Sequence, residues 1–72
     1  MVLFGKPGCH LCDDAKAALA AAGIEFREVD ITADPGLKAE FGWIIPVVEV
    51  NGAQVFEAGM NPAELPELVR EA

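Results

Sequence analysis

Several residue types and patterns are scarce in this chain of 72 residues, and each absence excludes a class of protein. Cysteine occurs only 2 times, too few for the disulfide framework of a small secreted protein, where four or more are usual. Lysine and arginine number 5 against 12 aspartates and glutamates. The net charge of −7 therefore excludes nucleic acid as a partner, because its phosphates would repel the chain. No apolar run approaches the ~20 residues of a membrane-spanning helix, so no membrane association is expected.

The remaining composition predicts one folded domain over residues 1–72. Hydrophobic residues make up 53% of the chain and charged residues 24%, the balance of a globular protein rather than of a disordered tail. A chain of this size supports one small core, and a monomer is expected. Met1 runs directly into the apolar segment Val2–Phe4, without the basic and long apolar regions of a signal peptide. We therefore expect a cytoplasmic protein.

Turn and capping residues divide the chain into seven elements in the order β-α-β-α-β-β-α. The predicted strands are Val2–Phe4, Glu25–Ile31, Pro46–Val50 and Ala53–Phe56, and the predicted helices are Cys9–Ala22, Asp34-Pro35 to Gly42, and a last helix opened by a capping box at Asn61–Glu64. Asn51-Gly52 is a hairpin signal that makes the last two strands antiparallel. The strand–helix–strand unit at the start implies parallel neighbours. One mixed sheet with helices packed on it accounts for this order.

Two helix ends and one helix face can be predicted in more detail. Gly23 is expected to end the first helix in a Schellman motif, and the buried face of that helix is expected to include Leu11 and Leu19 at the 3.6-residue period. Pro66 lacks the N–H that a helix interior needs, so the last helix is expected to begin nearer Leu65 than its capping box suggests.

Cys9 and Cys12 stand after a predicted strand and a glycine-rich loop, at the start of a predicted helix. This context is typical of Cys-x-x-Cys redox motifs. The free N–H groups and the dipole of a helix N-terminus stabilise a thiolate, and Lys6 adds a nearby positive charge. Cys9 is therefore the predicted nucleophile, and Cys12, one turn into the helix, is the predicted resolving thiol. A protonated His10 would tune Cys9, although a passive surface histidine is the alternative.

The same cysteines allow three other interpretations. A structural disulfide would close a very short loop and add little stability. A zinc site made of Cys9, His10 and Cys12 lacks a fourth ligand within the chain. A dimer that shares a metal ion or an iron–sulfur cluster between two copies would be a non-catalytic binding protein, and it stays open as the alternative to an enzyme.

Four segments together resemble one known family. Phe4–Asp13 is similar to a strand–loop–dithiol opening, Glu28–Ile31 to the end of a second strand, Ile45–Val48 to a cis-proline segment and Ala58–Asn61 to a Gly-Gly-x-Asp turn. These are features of the glutaredoxin-like branch of the thioredoxin-fold superfamily. The resemblance implies an α/β fold with a four-stranded mixed sheet of order 2-1-3-4, its third strand antiparallel to the first, flanked by three helices. It also implies a dithiol–disulfide oxidoreductase that requires no metal or organic cofactor.

The resemblance further implies a substrate site beside the sulfurs. The Ile45–Pro46 bond would be cis, and the Ile45 backbone would pair with the substrate backbone like an added strand; the alternative is a proline that merely begins an edge strand. Lys6 would meet a carboxylate of glutathione, and the turn Gly59-Met60-Asn61 would complete the site. The partner would be a disulfide-containing protein or glutathione, with glutathione as co-substrate. Trp43 would either flank this site or cap the core.

Departures from the family pattern leave the reductant open. His10-Leu11 stands where glutaredoxins usually have Pro-Tyr, Ile44 replaces a threonine, and Ala58 and Asn61 replace a glycine and an aspartate. Loss of these polar groups weakens the anchoring of glutathione, so weak glutathione use is expected. Gly59–Pro62 is also similar to a turn in the glutaredoxin-like electron donors of ribonucleotide reductase. This similarity makes a redoxin reduced by thioredoxin reductase the second alternative.

Overall fold

Four short strands form one mixed sheet in the computed structural model, which describes residues 1–72. The strands are β1 (Val2–Gly5), β2 (Arg27–Asp30), β3 (Val47–Val50) and β4 (Ala53–Phe56). Their order across the sheet is β2-β1-β3-β4. β1 is parallel to β2 and antiparallel to β3, which is in turn antiparallel to β4. The predicted sheet order and the predicted direction of the third strand are confirmed.

Three α-helices and two short 3₁₀ helices connect these strands. The α-helices are α1 (His10–Ala21), α2 (Pro35–Phe41) and α3 (Leu65–Glu71), and the 3₁₀ helices are Ile31–Ala33 and Pro62–Glu64. The order β-α-β-α-β-β-α is as predicted. The longest helix, α1, has 12 residues, and no helix has the length and apolarity that a membrane crossing needs.

The ends of α1 follow from local chemistry. Cys9 is the N-cap residue, with extended backbone angles, and its sulfur accepts a hydrogen bond from the backbone N–H of Cys12. At the other end Gly23 has a φ of 71°, which glycine adopts without steric cost. The N–H of Gly23 donates to the Ala20 carbonyl, and the N–H of Ile24 donates to the Leu19 carbonyl, both at 3.0 Å. These are the two hydrogen bonds of the predicted Schellman motif.

The second strand is shorter than the predicted Glu25–Ile31 at both ends, because β2 begins at Arg27 and stops at Asp30. The Asp30 carboxylate accepts hydrogen bonds from the N–H of Thr32 at 2.8 Å and from its hydroxyl at 2.6 Å. These bonds turn the chain into a 3₁₀ helix and bury Ile31 beneath it. They also hold the pKa of Asp30 below its usual value. Ile31 is therefore apolar because it packs in the core, and not because it is part of the strand.

The last helix begins at Leu65, as Pro66 predicts. The segment before it is a separate 3₁₀ helix, in which the Asn61 side-chain oxygen accepts the N–H of Ala63 at 3.0 Å. The predicted cap at Asn61 is thus present, but it caps this 3₁₀ helix rather than α3.

Two apolar clusters form the core. The first comprises Leu3, Ala15, Leu19, Val48, Phe56 and Leu65. The second comprises Cys12, Ile31, Phe41, Ile45 and Val47, with Cys9 packed against it. The two cysteines therefore belong to the packing at one end of the sheet, where β1 ends and β3 begins.

Candidate functional site

The two cysteines lie next to each other but differ in accessibility. The N–H of Cys12 donates to Cys9 Sγ at 3.3 Å, and both residues are free thiols. Cys9 is partly buried at the N-terminus of α1, whereas Cys12 is only 1% exposed. A substrate can therefore reach the sulfur of Cys9 and not that of Cys12. The assignment of Cys9 as the attacking thiol and Cys12 as the resolving thiol stays a prediction.

The surroundings of Cys12 keep its thiol protonated. Burial of the thiol, together with its hydrogen bond to the side chain of Cys9, raises the pKa of Cys12 from 9.0 to about 11. A hydrogen bond from the backbone N–H of Lys6 lowers this pKa, but by less. The space below the sulfur is closed by Gly5, where an added Cβ would lie 3.1 Å from Cys12 Sγ. Cys12 is thus a neutral thiol near pH 7, and it must lose a proton before it can attack.

The peptide bond between Ile45 and Pro46 is cis, as predicted, and both residues are buried. Ile45 belongs to the same apolar cluster as Cys12, which brings this segment beside the dithiol. The N–H of Ile45 donates to the carbonyl of Phe41 at 3.1 Å. The N–H of Ile45 is thus used within the chain, and the predicted pairing of the Ile45 backbone with a substrate would have to use its carbonyl.

A groove of about 260 Å³ lies beside the cis-proline. Its lining residues are Leu11, Pro46, Phe56, Ala58, Gly59, Met60 and Pro62. Gly59 and Met60 were predicted here, and the φ of 94° at Gly59 favours glycine at this bend. Asn61 does not line the groove, because its side-chain oxygen is used in the cap of the 3₁₀ helix. No charged side chain lines the groove.

The remaining predicted site residues lie on the surface. Lys6 is exposed and forms no ion pair within the chain. His10 is exposed, and its Nε2 lies 3.6 Å from a carboxylate oxygen of Asp14. Trp43 is 96% exposed, so the interpretation that it caps the core is wrong. The segment that carries Trp43 is bonded to the groove: the N–H of Ala58, a lining residue, donates to the carbonyl of Ile44, the neighbour of Trp43, at 2.9 Å.

Two features of the site were not predicted from the sequence. Leu11 was expected on the buried face of α1, but it is 51% exposed and lines the groove, because the residues that α1 buries are Cys12, Ala15 and Leu19, and Leu11 lies to one side of that stripe. Its position in the sequence, between the two cysteines, was the one signal that could have placed Leu11 at the site. The close approach of Gly5 to Cys12 has no such signal, because it depends on how α1 packs over the end of β1.

The chain brings together no group of three or more histidine, cysteine, aspartate or glutamate side chains that could hold a metal ion. His10, the third residue of the zinc interpretation, points its Nε2 toward Asp14. A metal or cluster site built on these cysteines would therefore need ligands from a second copy or from outside the protein.

A sheet of order 2-1-3-4, a Cys-x-x-Cys at the start of the first helix and a cis-proline beside it define a thioredoxin-like fold of the glutaredoxin type. The family model of the glutaredoxin-like domain (DUF836) matches residues 1–70. The chain belongs to this glutaredoxin-like family.

Relatives and solved structures agree with this assignment. The chain is 32% identical to the SPbeta prophage-derived thioredoxin-like protein YosR of Bacillus subtilis (strain 168), over 99% of this chain and 95% of that protein. It is 34% identical to the Gene 56 protein of Mycobacterium phage L5, over 96% of this chain and 71% of that protein. Among solved structures it is similar to the protein XcR50 from X. campestris, with a TM-score of 0.84, 29% identity and coverage of 99% and 96%. It is also similar to a glutaredoxin from Brucella melitensis, with a TM-score of 0.72, 33% identity and coverage of 99% and 78%.

Proposed function

We propose that the protein is a dithiol–disulfide oxidoreductase in which Cys9 attacks and Cys12 resolves. The observation that carries this proposal is a pair of free thiols at the start of α1, in which the N–H of a buried Cys12 donates to the sulfur of a partly exposed Cys9. The N–H of Cys12 and the N-terminus of the helix stabilise negative charge on the outer sulfur. Similarity to a thioredoxin-like protein and to a glutaredoxin supports the same activity.

The reaction transfers two electrons in two displacements. The Cys9 thiolate attacks one sulfur of the substrate disulfide, forms a mixed disulfide, and releases the other sulfur as a thiolate that takes up a proton. The Cys12 thiol then gives its proton to solvent or to the leaving group, and its sulfur attacks Cys9 Sγ. The products are a Cys9–Cys12 disulfide and a second substrate thiol, so the protein is oxidised and the substrate is reduced.

Return to the dithiol needs two electrons and two protons, which two molecules of an external thiol supply as they are oxidised to their disulfide. Glutathione is the reductant in this proposal, with Lys6 as the anchor for one of its carboxylates, because Lys6 is exposed and free of ion pairs. Such a cycle operates where thiols are kept reduced, which makes a cytoplasmic location part of the proposal.

Replacing each cysteine by serine tests this division of labour. The Cys9→Ser variant loses all exchange with a disulfide substrate, because Cys12 is buried and protonated. The Cys12→Ser variant retains the first attack and accumulates a mixed disulfide whose mass is that of the protein plus the substrate half. Mass spectrometry under non-reducing conditions measures both products. Accumulation of a mixed disulfide on Cys12 in the Cys9→Ser variant at the wild-type rate would reverse the roles.

A further inference from the structure

The exposed large hydrophobic side chains of this protein belong either to the groove of the candidate active site or to the segment that leads into its cis-proline. They are Leu11, Trp43 and Met60, with 51%, 96% and 38% of their surfaces exposed, and we refer to them as the apolar rim. Leu11 lies between the two cysteines, and Leu11 and Met60 line the groove beside the cis-proline. Trp43 precedes Ile44, whose carbonyl is bonded to the groove wall. Tryptophan and methionine are enriched at protein interfaces, and an indole with 96% of its surface in water gains free energy when a partner covers it.

The groove inside the apolar rim is suited to apolar contact. Its lining includes no charged side chain. The Ile45 N–H, which would otherwise pair with the backbone of a bound peptide, already donates to Phe41. Glutathione, a short anionic tripeptide, has no apolar side chain to fill such a space. A folded protein can place an apolar residue there, beside a reacting cysteine.

The charge of the protein narrows the partner further. The chain carries −7 overall, and the field of such a protein slows the approach of an anion and speeds that of a cation. Lys6 is one free cation near the dithiol, which is too few to reverse this field. The net charge of the chain is therefore complementary to that of a basic protein.

We propose that the preferred substrate is a disulfide in a basic protein that presents an apolar side chain next to its reacting cysteine, so that this side chain enters the groove and the apolar rim is covered. This inference rests on the proposed redox function. The chemical step is the one described above, in which the Cys9–Cys12 dithiol gives two electrons to the disulfide of the partner.

Four synthetic cyclic peptides separate the two elements of this proposal. Each contains one disulfide, and they differ only beside one cysteine, where leucine or serine is combined with two lysines or two glutamates. Pre-reduced protein reacts with each peptide, and with oxidised glutathione, in single turnover, so the protein itself supplies the two electrons. The rate constants are measured by acid quenching, thiol alkylation and mass spectrometry, at low and at high salt.

The leucine–lysine peptide is expected to react at least about ten-fold faster than the serine–glutamate peptide and oxidised glutathione, a factor equal to about 1.4 kcal/mol. Trp43→Ala and Met60→Ser are expected to reduce the leucine-over-serine ratio to below about three-fold. High salt is expected to reduce the lysine-over-glutamate ratio and leave the leucine effect in place. Gln54→Ala, at an exposed position on β4 away from the groove, is the matched control and is expected to keep both ratios.

The outcomes separate this inference from the function on which it rests. Equal rates for all four peptides, or a faster reaction with oxidised glutathione, would overturn the partner assignment and leave the redox function intact. A fall of equal size for every substrate in Trp43→Ala would also overturn it, because a general loss of activity is not a loss of docking. Failure of the wild type to reduce any of the five substrates would refute the redox function itself.

Discussion

Replacing Gly5 by alanine tests how closely β1 supports the resolving thiol. Gly5 is buried at the end of β1, and an added Cβ would lie 3.1 Å from Cys12 Sγ, 3.3 Å from Cys12 Cβ and 3.4 Å from a methyl group of Leu3. Carbon atoms in contact are most stable at ~3.5–4.0 Å, and sulfur is larger than carbon. The sulfur, or the helix that carries it, must therefore move by ~0.5 Å.

The cost follows from two opposing effects. Overpacking a dense core costs ~1–3 kcal/mol. Exchange of glycine for alanine also lowers the entropy of the unfolded chain, which stabilises the folded state by ~0.4–1 kcal/mol. A net loss of about 1–2 kcal/mol in the free energy of unfolding remains for Gly5→Ala. In a domain of this size it corresponds to a fall in Tm of roughly 4–16 °C.

A double-mutant cycle with Cys12→Ala assigns this loss to the sulfur. Urea unfolding followed by circular dichroism gives the free energies of the wild type, both single variants and the double variant. Without the sulfur only the contact with the β-carbon of residue 12 is tight, so Gly5→Ala is expected to cost at most half as much in the Cys12→Ala background. The same loss in both backgrounds, or no loss in either, would show that Gly5 does not constrain Cys12.

Three further outcomes are expected. Burial raises the pKa of Cys12 from 9.0 to about 11, so the folded state holds this proton more tightly than the unfolded chain does. The contribution of Cys12 to stability is therefore fully present below pH 9, and about 2 kcal/mol of it is lost as the pH rises to 11. Urea unfolding at pH 8 and pH 10.5 measures this loss, which Cys12→Ala should lack. Lys6→Ala should lower turnover with glutathione and glutathione reductase by about ten-fold, whereas Lys38→Ala, which changes the net charge equally, should not. An equal fall in both variants would contradict a local anchor at Lys6, because long-range attraction alone would then explain the loss. Asp34→Ala removes the carboxylate that accepts the N–H groups of Gly36 and Leu37 and should cost ~0.5–2 kcal/mol, which Asp34→Asn should largely restore in thermal unfolding.

Local signals predicted the order of the elements well, because each depends on residues that are neighbours in sequence. Gly23 ends α1 through backbone bonds made within its own segment, and Asn51 adopts the positive φ of 53° that a tight hairpin needs. Pro66 displaces the start of α3 to Leu65 for an equally local reason. The end of β2 was missed because Asp30 reaches forward to Thr32, an alternative to strand pairing that an apolar pattern does not reveal.

The candidate site was predictable only in part. The spacing and context of Cys9 and Cys12 are visible in the sequence, and the resemblance supplied the cis bond at Pro46. The exposure of Leu11 and the internal bond of the Ile45 N–H were not visible, because they depend on the seating of α1 and α2 against the sheet. Helical periodicity groups residues on one side of a helix but does not decide which edge of that group is buried: α1 buries Cys12 and leaves Leu11 exposed.

The solvation of Trp43 decides which processes fluorescence can follow in this protein. The chain has 1 tryptophan and no tyrosine, so this indole accounts for nearly all of the ultraviolet emission. It is already in water when the chain is folded, and denaturation will therefore leave its spectrum almost unchanged. A partner that covers this indole will transfer it to an apolar environment and shift the emission to shorter wavelength. The same residue is thus a silent probe of unfolding and a label-free probe of complex formation.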